Sequence, residues 1–369
     1  MQPFEPEQLP PKELDWKALI PWVGQANRAI AKLEGLLQSL PNPDIMLSPL
    51  VTKEAVLSSK IEGTQAEWAD VLRYEAGERV MDDSRQADIR EIMNYRRALQ
   101  LSQRLLRERP LCLNTLLRLH EVLMEGVRGS HGARGHFRTV QNWIGRPGSP
   151  VEEAFFIPPS PLNLQEHLNR WEAYWHSESP DPLIQLAIIH AQFEIIHPFV
   201  DGNGRVGRML IPLFLFDKGL LGRPCFYLSA YLEAHRDEYY QGLRDLGQEG
   251  SWNRWTEFFL KAVTSQADQM TDSCRQIHEL YERLKKQILG SSRSPSAMLI
   301  LDFIFKRPTF RTSDLAQEKD MPSRPALSKN LGAFKELGIL KTLKPGAGRK
   351  SEVLVFADLI NLVEGRKVF

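Results

Sequence analysis

Cysteine is scarce in this chain. Cys112, Cys225 and Cys274 stand far apart among 369 residues. An odd number at that spacing makes neither a disulfide framework nor a zinc pattern, and it fits a reducing cytoplasm. An excess of either charge is missing too. Forty-seven Lys and Arg face 46 Asp and Glu, a net of +1, so attraction to nucleic acid or membrane has to be local. No long apolar run goes uninterrupted. The oiliest, residues 182–196, contains Gln185, His190, Gln192 and Glu194, which a bilayer span tolerates poorly. The opening "MQPFEPEQLPPKELDW" has no basic stretch followed by an apolar one, so it does not read as a secretory signal. No repeat period is visible. These absences leave a cytoplasmic globular chain as the expectation, with no membrane partner and room for two or three domains.

Helical periodicity dominates what is present. A proline-punctuated lead precedes a helix expected over residues 16–40. Helical patterning then runs through "SPLVTKEAVLSSKIEG", which Gly63 is placed to terminate, and on through "ADIREIMNYRRALQLSQRLL" and "LNTLLRLHEVLMEGV". The texture changes at residues 139–157. There, two β-prone runs (139–144 and 154–157) flank Gly145, Pro147, Gly148 and Pro150, the pattern of a hairpin with a long turn. Residues 183–196 are apolar all round, which predicts a helix buried on every side. A second such helix follows, interrupted by Pro212, and more helix is expected from about Ala230 to Gln287.

The tail differs. "GSSRSPS" is a linker by composition. From Pro295 onward thirteen Lys and Arg stand against eight Asp and Glu, a local +5 that leaves −4 for the remainder. Its pattern is a helix (297–305), a short helix near Thr312, a helix (323–337) and two strands around a basic Gly-rich turn. That is the order of a winged helix-turn-helix. Arg324, Lys329, Lys335, Arg349 and Lys350 are its candidate phosphate contacts. The fold class is therefore expected to be all-α with a β-hairpin flap, plus this C-terminal module. The expected division is residues 1–110, 111–288, a linker at 289–296, and 297–369.

Against the oiliest segment lies the most polar dozen, "HPFVDGNGRVGR". Pro198 biases His197 away from αR, so the buried helix should end there. A new helix begins near Gly204 and offers unpaired N–H groups. Gly202 and Gly204 allow close backbone approach, which makes an anion site. Arg205 and Arg208 lie three apart and add forked positive charge suited to phosphate. Asp201 is best explained as a Mg²⁺ ligand. His197 titrates near ~6.5 when unperturbed and suits a general base. A polyphosphate, a metal, a base and an outside nucleophile describe phosphoryl or nucleotidyl transfer.

The same dozen resembles the signature of the Fic family, H-P-F-x-D/E-G-N-G-R-x-x-R, with every fixed position met. "HAQFEIIHPF", "FRTVQNWIG", "YLSAYLEAHRDEYYQGL" and "WTEFFLKAV" resemble it too. The resemblance covers roughly residues 1–285. It implies transfer of AMP from ATP, with Mg²⁺, to a Ser, Thr or Tyr hydroxyl of a protein or of the chain itself. It implies His197 as base, Asp201 as metal ligand and Asn203 as holder of the α-phosphate. Gly202, Gly204, Arg205, Val206, Gly207 and Arg208 would cradle phosphates, Tyr240 (with Tyr239) would border the adenine, and the flap would dock the target through Val140, Phe156 and Ile157. "SSKIEG" resembles the family's inhibitory helix (about 51–63): Ser58 and Glu62 share a face, Gly63 ends the helix, and Glu62 would pair with Arg208 in place of the γ-phosphate.

Other readings stand beside this one. His190, Glu194 and His197 fall at i, i+4 and i+7, as metal ligands of a hydrolase would. The chain reads alternatively as a nucleotide-sensing regulator that binds DNA through its tail, or as a relative that removes AMP. A homodimer is a further candidate assembly.

Overall fold

The structure is a computed structural model, and it describes residues 2–12, 14–77, 80–127, 133–146, 150–246, 251–291, 296–348 and 350–369. The expected Pro147, Gly148 and Arg349, and residues 292–295 of the linker, lie outside them. The fold is mostly helical. In chain order the helices are α1 (Trp16–Ser39), α2 (Pro43–Ile61), α3 (Trp68–Glu75), α4 (Asp83–Glu108), α5 (Leu113–Leu123), α6 (Leu164–His176), α7 (Pro182–Ile196), α8 (Asn203–Asp217), α9 (Ser229–Ala234), α10 (Arg236–Asp245) and α11 (Ser251–Ser291). After them come α12 (Ser296–Lys306), β1 (Thr309–Arg311), α13 (Thr312–Leu315), α14 (Arg324–Glu336), β2 (Lys341–Lys344), β3 (Val353–Val355) and α15 (Ala357–Glu364). The helix expected from about Ala230 to Gln287 is present as α9, α10 and α11. The chain gathers into two compact units. One comprises Met1–Gly35, Leu57–Thr64 and Arg90–Asp268; the other comprises Leu36–Val56, Gln65–Ile89 and Gln269–Phe369.

The first unit is organised around α7. Its start is fixed locally: the Asp181 carboxylate accepts the N–H groups of Leu183 (2.9 Å) and Ile184 (3.0 Å), and Pro182 fills the first turn, where its missing N–H costs nothing. Residues 183–196 are all buried, because an apolar face on every side demands neighbours on every side. Several polar groups along and around this run find partners in the interior. Gln185 Nε2 donates to the Tyr174 carbonyl at 2.7 Å. The indoles of Trp171 and Trp255 donate to the carbonyls of Ile189 (2.9 Å) and Ala187 (2.8 Å). Helices α6 and α8 pack directly on α7, and Pro212 is accommodated within α8.

Among the described residues the expected flap hairpin is represented by one antiparallel bridge, Ile144 with Phe156, and a short 3₁₀ turn at Val151–Glu153. Side chains take the carbonyls that a longer ladder would use. Arg138 donates to Val140 O and Pro159 O, and Gln141 donates to Asn142 O and Pro158 O. Pro158 and Pro159 also lack the N–H a ladder needs.

In the second unit the tail forms a three-stranded antiparallel sheet of order β1-β3-β2, with Thr309 and Lys341 both in register with Val355. Strand β1 and helix α15 were not foreseen. Lys335, expected as a phosphate contact, is held by both oxygens of Glu352 at 2.8 Å. Earlier segments belong to this unit as well: Arg311 Nε donates to Ala76 O (2.7 Å), and Lys53 Nζ donates to Val363 O (2.6 Å).

Candidate active site

The polar dozen forms the corner between α7 and α8. His197 takes a left-handed conformation, φ 49°, and caps α7 by donating its N–H to Phe193 O at 3.0 Å. Pro198 had excluded αR here. Gly202, φ 79°, makes the second left-handed step directly before α8. Between them Phe199 is buried, stacked 3.9 Å from His120. Asn203 closes the loop, accepting the Phe199 N–H and donating to the Phe199 carbonyl, both at 2.8 Å. Its amide therefore braces the turn from within. The last carbonyls of α7 go to Arg138, which is buried and donates to His197 O (2.9 Å) and Ile196 O (3.3 Å). His120 accepts the Gly135 N–H at Nδ1 and so donates from Nε2 to Asp201 O at 3.0 Å. Burial holds its pKa down to about 4.

The reactive groups stand on this frame. His197 Nδ1 lies 3.2 Å from Glu194 O, which can only accept, so the proton sits on Nδ1 and the Nε2 lone pair is left available. Burial lowers this histidine to about 4 as well, so the imidazole is neutral at pH 7. Asp201 is outward, its side chain 60% exposed, with Oδ1 accepting the Gly202 N–H at 2.5 Å. The first turn of α8 presents the N–H groups of Asn203, Gly204 and Arg205 ahead of the first helical bond, Val206 N to Gly202 O. Val206 and Gly207 are fully buried and reach this turn only through backbone. Arg205 is committed elsewhere, paired with Glu91 at 2.7 Å and Asp201 at 3.5 Å.

Arg208 is buried, and its Nε and Nη2 are engaged. Nε donates to Ser58 Oγ (2.9 Å), and Nη2 donates to Ser58 O (2.8 Å) and Glu62 Oε1 (2.6 Å). Burial alone would raise the Glu62 pKa, but Arg208, then Arg205, outweigh it and hold the carboxylate below its usual range. A side chain at Gly204 would collide with this arrangement, since its Cβ would stand 2.3 Å from Glu62 Oε1. Beyond Gly63 (φ 104°) the chain turns away. The Ile61 carbonyl accepts Arg236 Nη2 at 2.7 Å and the Tyr240 hydroxyl at 3.4 Å. Tyr240 thus borders Glu62's helix end, whereas Tyr239 is core.

The alternative metal triad fails on His190. Its Nδ1 donates to Gly207 O (3.1 Å) and its Nε2 accepts the Tyr239 hydroxyl (3.0 Å), so neither nitrogen has a lone pair to offer a metal. Among the described residues no group of three or more His, Cys, Asp or Glu is placed to hold a metal ion.

Sequence reasoning missed Arg138, Glu91, His120 and the state of Glu194. Glu194 is buried against Gly207, with Oε1 lacking any hydrogen-bond partner. Burial pushes its pKa up to about 8. The folded protein therefore keeps a proton that the unfolded chain releases above about 4.5. The resulting stability is full below about 4.5 and is lost as pH rises through about 8. Glu194→Gln keeps the shape and should flatten that decline. Melting temperatures across this range test it, and parallel curves for the two proteins would refute it.

Comparison with known proteins follows the same ground. Residues 20–104 match the Fic/DOC family N-terminal profile and residues 110–215 the Fic/DOC family profile. The protein adenylyltransferase Fic of Drosophila ananassae is 28% identical over 167 residues, 44% of this chain and 30% of that protein. A probable protein adenylyltransferase of Aquifex aeolicus (strain VF5) is 36% identical over 85 residues, 23% of this chain and 27% of that protein. The chain thus spans less than a third of these curated relatives. A crystal structure of a Fic family protein from Desulfovibrio desulfuricans G20 superposes with TM-score 0.57 at 20% identity, covering 94% of this chain and 98% of that one, which is a likeness of fold.

Proposed function

The chain carries Fic/DOC family domains over residues 20–104 and 110–215, and on that premise we propose that it moves AMP from ATP to a Ser, Thr or Tyr hydroxyl of a protein. The observation that carries this reading is the His197 imidazole, neutral with Nε2 free, set beside the open first turn of α8. That turn receives the phosphates through backbone N–H groups and the helix's positive end. His197 Nε2 takes the proton of the target hydroxyl, whose oxygen bonds to the α-phosphorus as the bond to the β-phosphate oxygen breaks and pyrophosphate departs. Asp201, one outward carboxylate, fits Mg²⁺ held mainly by phosphate and water oxygens, and such an ion would neutralise phosphate charge. Asn203, held by Phe199, serves the site by fixing the loop.

Glu62 is read as a brake. Its carboxylate occupies the guanidinium that a γ-phosphate would use, so ATP has to displace it or bind in a pose unsuited to attack. The test is transfer of label from α-labelled ATP, with Mg²⁺, to proteins of a cell lysate.

The second unit supports a further role. Within it the stretch from α12 to β3 runs helix, strand, two helices and two strands, an order that supports the winged-helix reading, and Arg324, Lys329 and Lys350 stand exposed on it. If it binds DNA, gel-shift affinity should fall steeply with salt. Salt-insensitive or absent binding to any duplex would assign the module to protein docking instead.

A further inference from the structure

The proline-punctuated lead runs along the flap. The Phe4 N–H donates to the Ile157 carbonyl at 2.9 Å. Phe156, one residue earlier, bonds to Ile144 through both its N–H and its carbonyl. Backbone groups alternate sides along an extended chain, so the Ile157 carbonyl faces the flap's other edge, and Phe4 occupies that edge. The Phe4 ring meets that of Phe156 with centroids 5.3 Å apart. The Glu5 carboxylate lies 3.6 Å from His167 Nε2. His167 is only 5% exposed, and this nitrogen has no hydrogen-bond partner. Farther on, Trp252 Nε1 donates to Glu7 Oε2 (3.1 Å), and Gln192, 4% exposed, donates to Glu7 O (3.3 Å).

Two features point to a receptor rather than to mere packing. A buried imidazole nitrogen without a partner is costly, and the carboxylate it faces stops just beyond bonding distance. Phe4 and Glu5 meet the strip through one backbone hydrogen bond, one ring contact and one carboxylate, and Glu5 itself is exposed to solvent. Pro3 and Pro6, on either side of Phe4 and Glu5, restrict that stretch whether bound or free, so binding such a segment costs little ordering.

We infer that this flap edge is a docking strip for an extended segment bearing an aromatic side chain followed by acidic residues, and that residues 4–7 of the chain are its resident occupant. This rests on the proposed reading of the flap as the element that docks the protein to be modified. A target segment of matching chemistry would seat its aromatic on Phe156, its first acid on His167 and its backbone on Ile157, displacing the lead.

The experiment uses the full chain with the double substitution Phe4→Ala, Glu5→Ala, and a fluorescent peptide of the sequence of residues 2–8 as probe. By fluorescence anisotropy the variant should bind the peptide about ten-fold or more tighter than the parent, because an occupied strip lowers apparent affinity by the fraction left free. Adding His167→Ala should abolish that gain. Equal binding by parent and double variant, with melting temperature unchanged, would overturn the inference. Should the variant fold poorly, amide exchange at Phe4 in the unmodified chain gives the answer. Excess peptide should accelerate it more than a peptide with the Phe and Glu residues replaced by alanine, and equal effects would overturn the strip. Both readouts are of binding alone. Peptide binding, together with no label transfer from α-labelled ATP to lysate proteins by the Glu62→Gly protein, would remove the proposed reaction and leave the strip standing.

Discussion

Glu62→Gly should raise the initial rate of AMP transfer by about 10²-fold, the scale on which a small misplacement of reacting groups suppresses a rate. The reasoning starts from Arg208. Its guanidinium is held from three directions, by the Ser58 hydroxyl, the Ser58 carbonyl and Glu62. Two of these contacts survive the substitution, so the arginine stays in place and loses only its anionic partner. The carboxylate also stands where a Gly204 side chain would be, and its removal clears space directly over the first turn of α8. Incorporation of α-label with saturating ATP measures the effect. A variant no faster than the parent would mean that the ion pair is structural and restrains nothing.

His197→Ala, made in the Glu62→Gly background so that the starting rate is high, should lower transfer by about 10²–10⁴-fold, the usual loss for a positioned base. Affinity for ATP should change little, because the proposed role of the imidazole is toward the incoming hydroxyl. The pH profile of the His197-containing protein offers an independent check. With a pKa of about 4, the imidazole is the free base at every pH above about 5, so the rate attributable to it should be level there and fall only in acid. A loss of rate matched by an equal loss of nucleotide affinity would assign His197 to binding instead.

The corner was legible because its chemistry is local. Pro198, Gly202 and Gly204 impose backbone geometry within a few residues, and the helices on either side announce themselves by continuous apolar runs. The contact between Glu62 and Arg208 spans 146 positions and was legible only through resemblance to a known pattern. Arg205 shows the limit. Spacing placed it with the phosphate ligands, yet its partner is Glu91 on α4, and an ion pair between helices leaves no periodic trace in a sequence. The flap was over-read for a related reason. Val140, Ile144 and Phe156 have real β-propensity, but propensity does not reveal that the Arg138 and Gln141 side chains will claim the carbonyls a ladder needs. Strand β1 escaped notice because three residues after a proline carry too little pattern to register.

Arg138 has a consequence of its own. One guanidinium grips His197 through Nε, Val140 through Nη1, and both Ile196 and Pro159 through Nη2. The base's main chain and the root of the flap are therefore clamped to a common rigid peg. The span between a guest strand and the imidazole is set by that peg. On the proposed function, such a site would select an alcohol by its distance along the guest from the point of attachment.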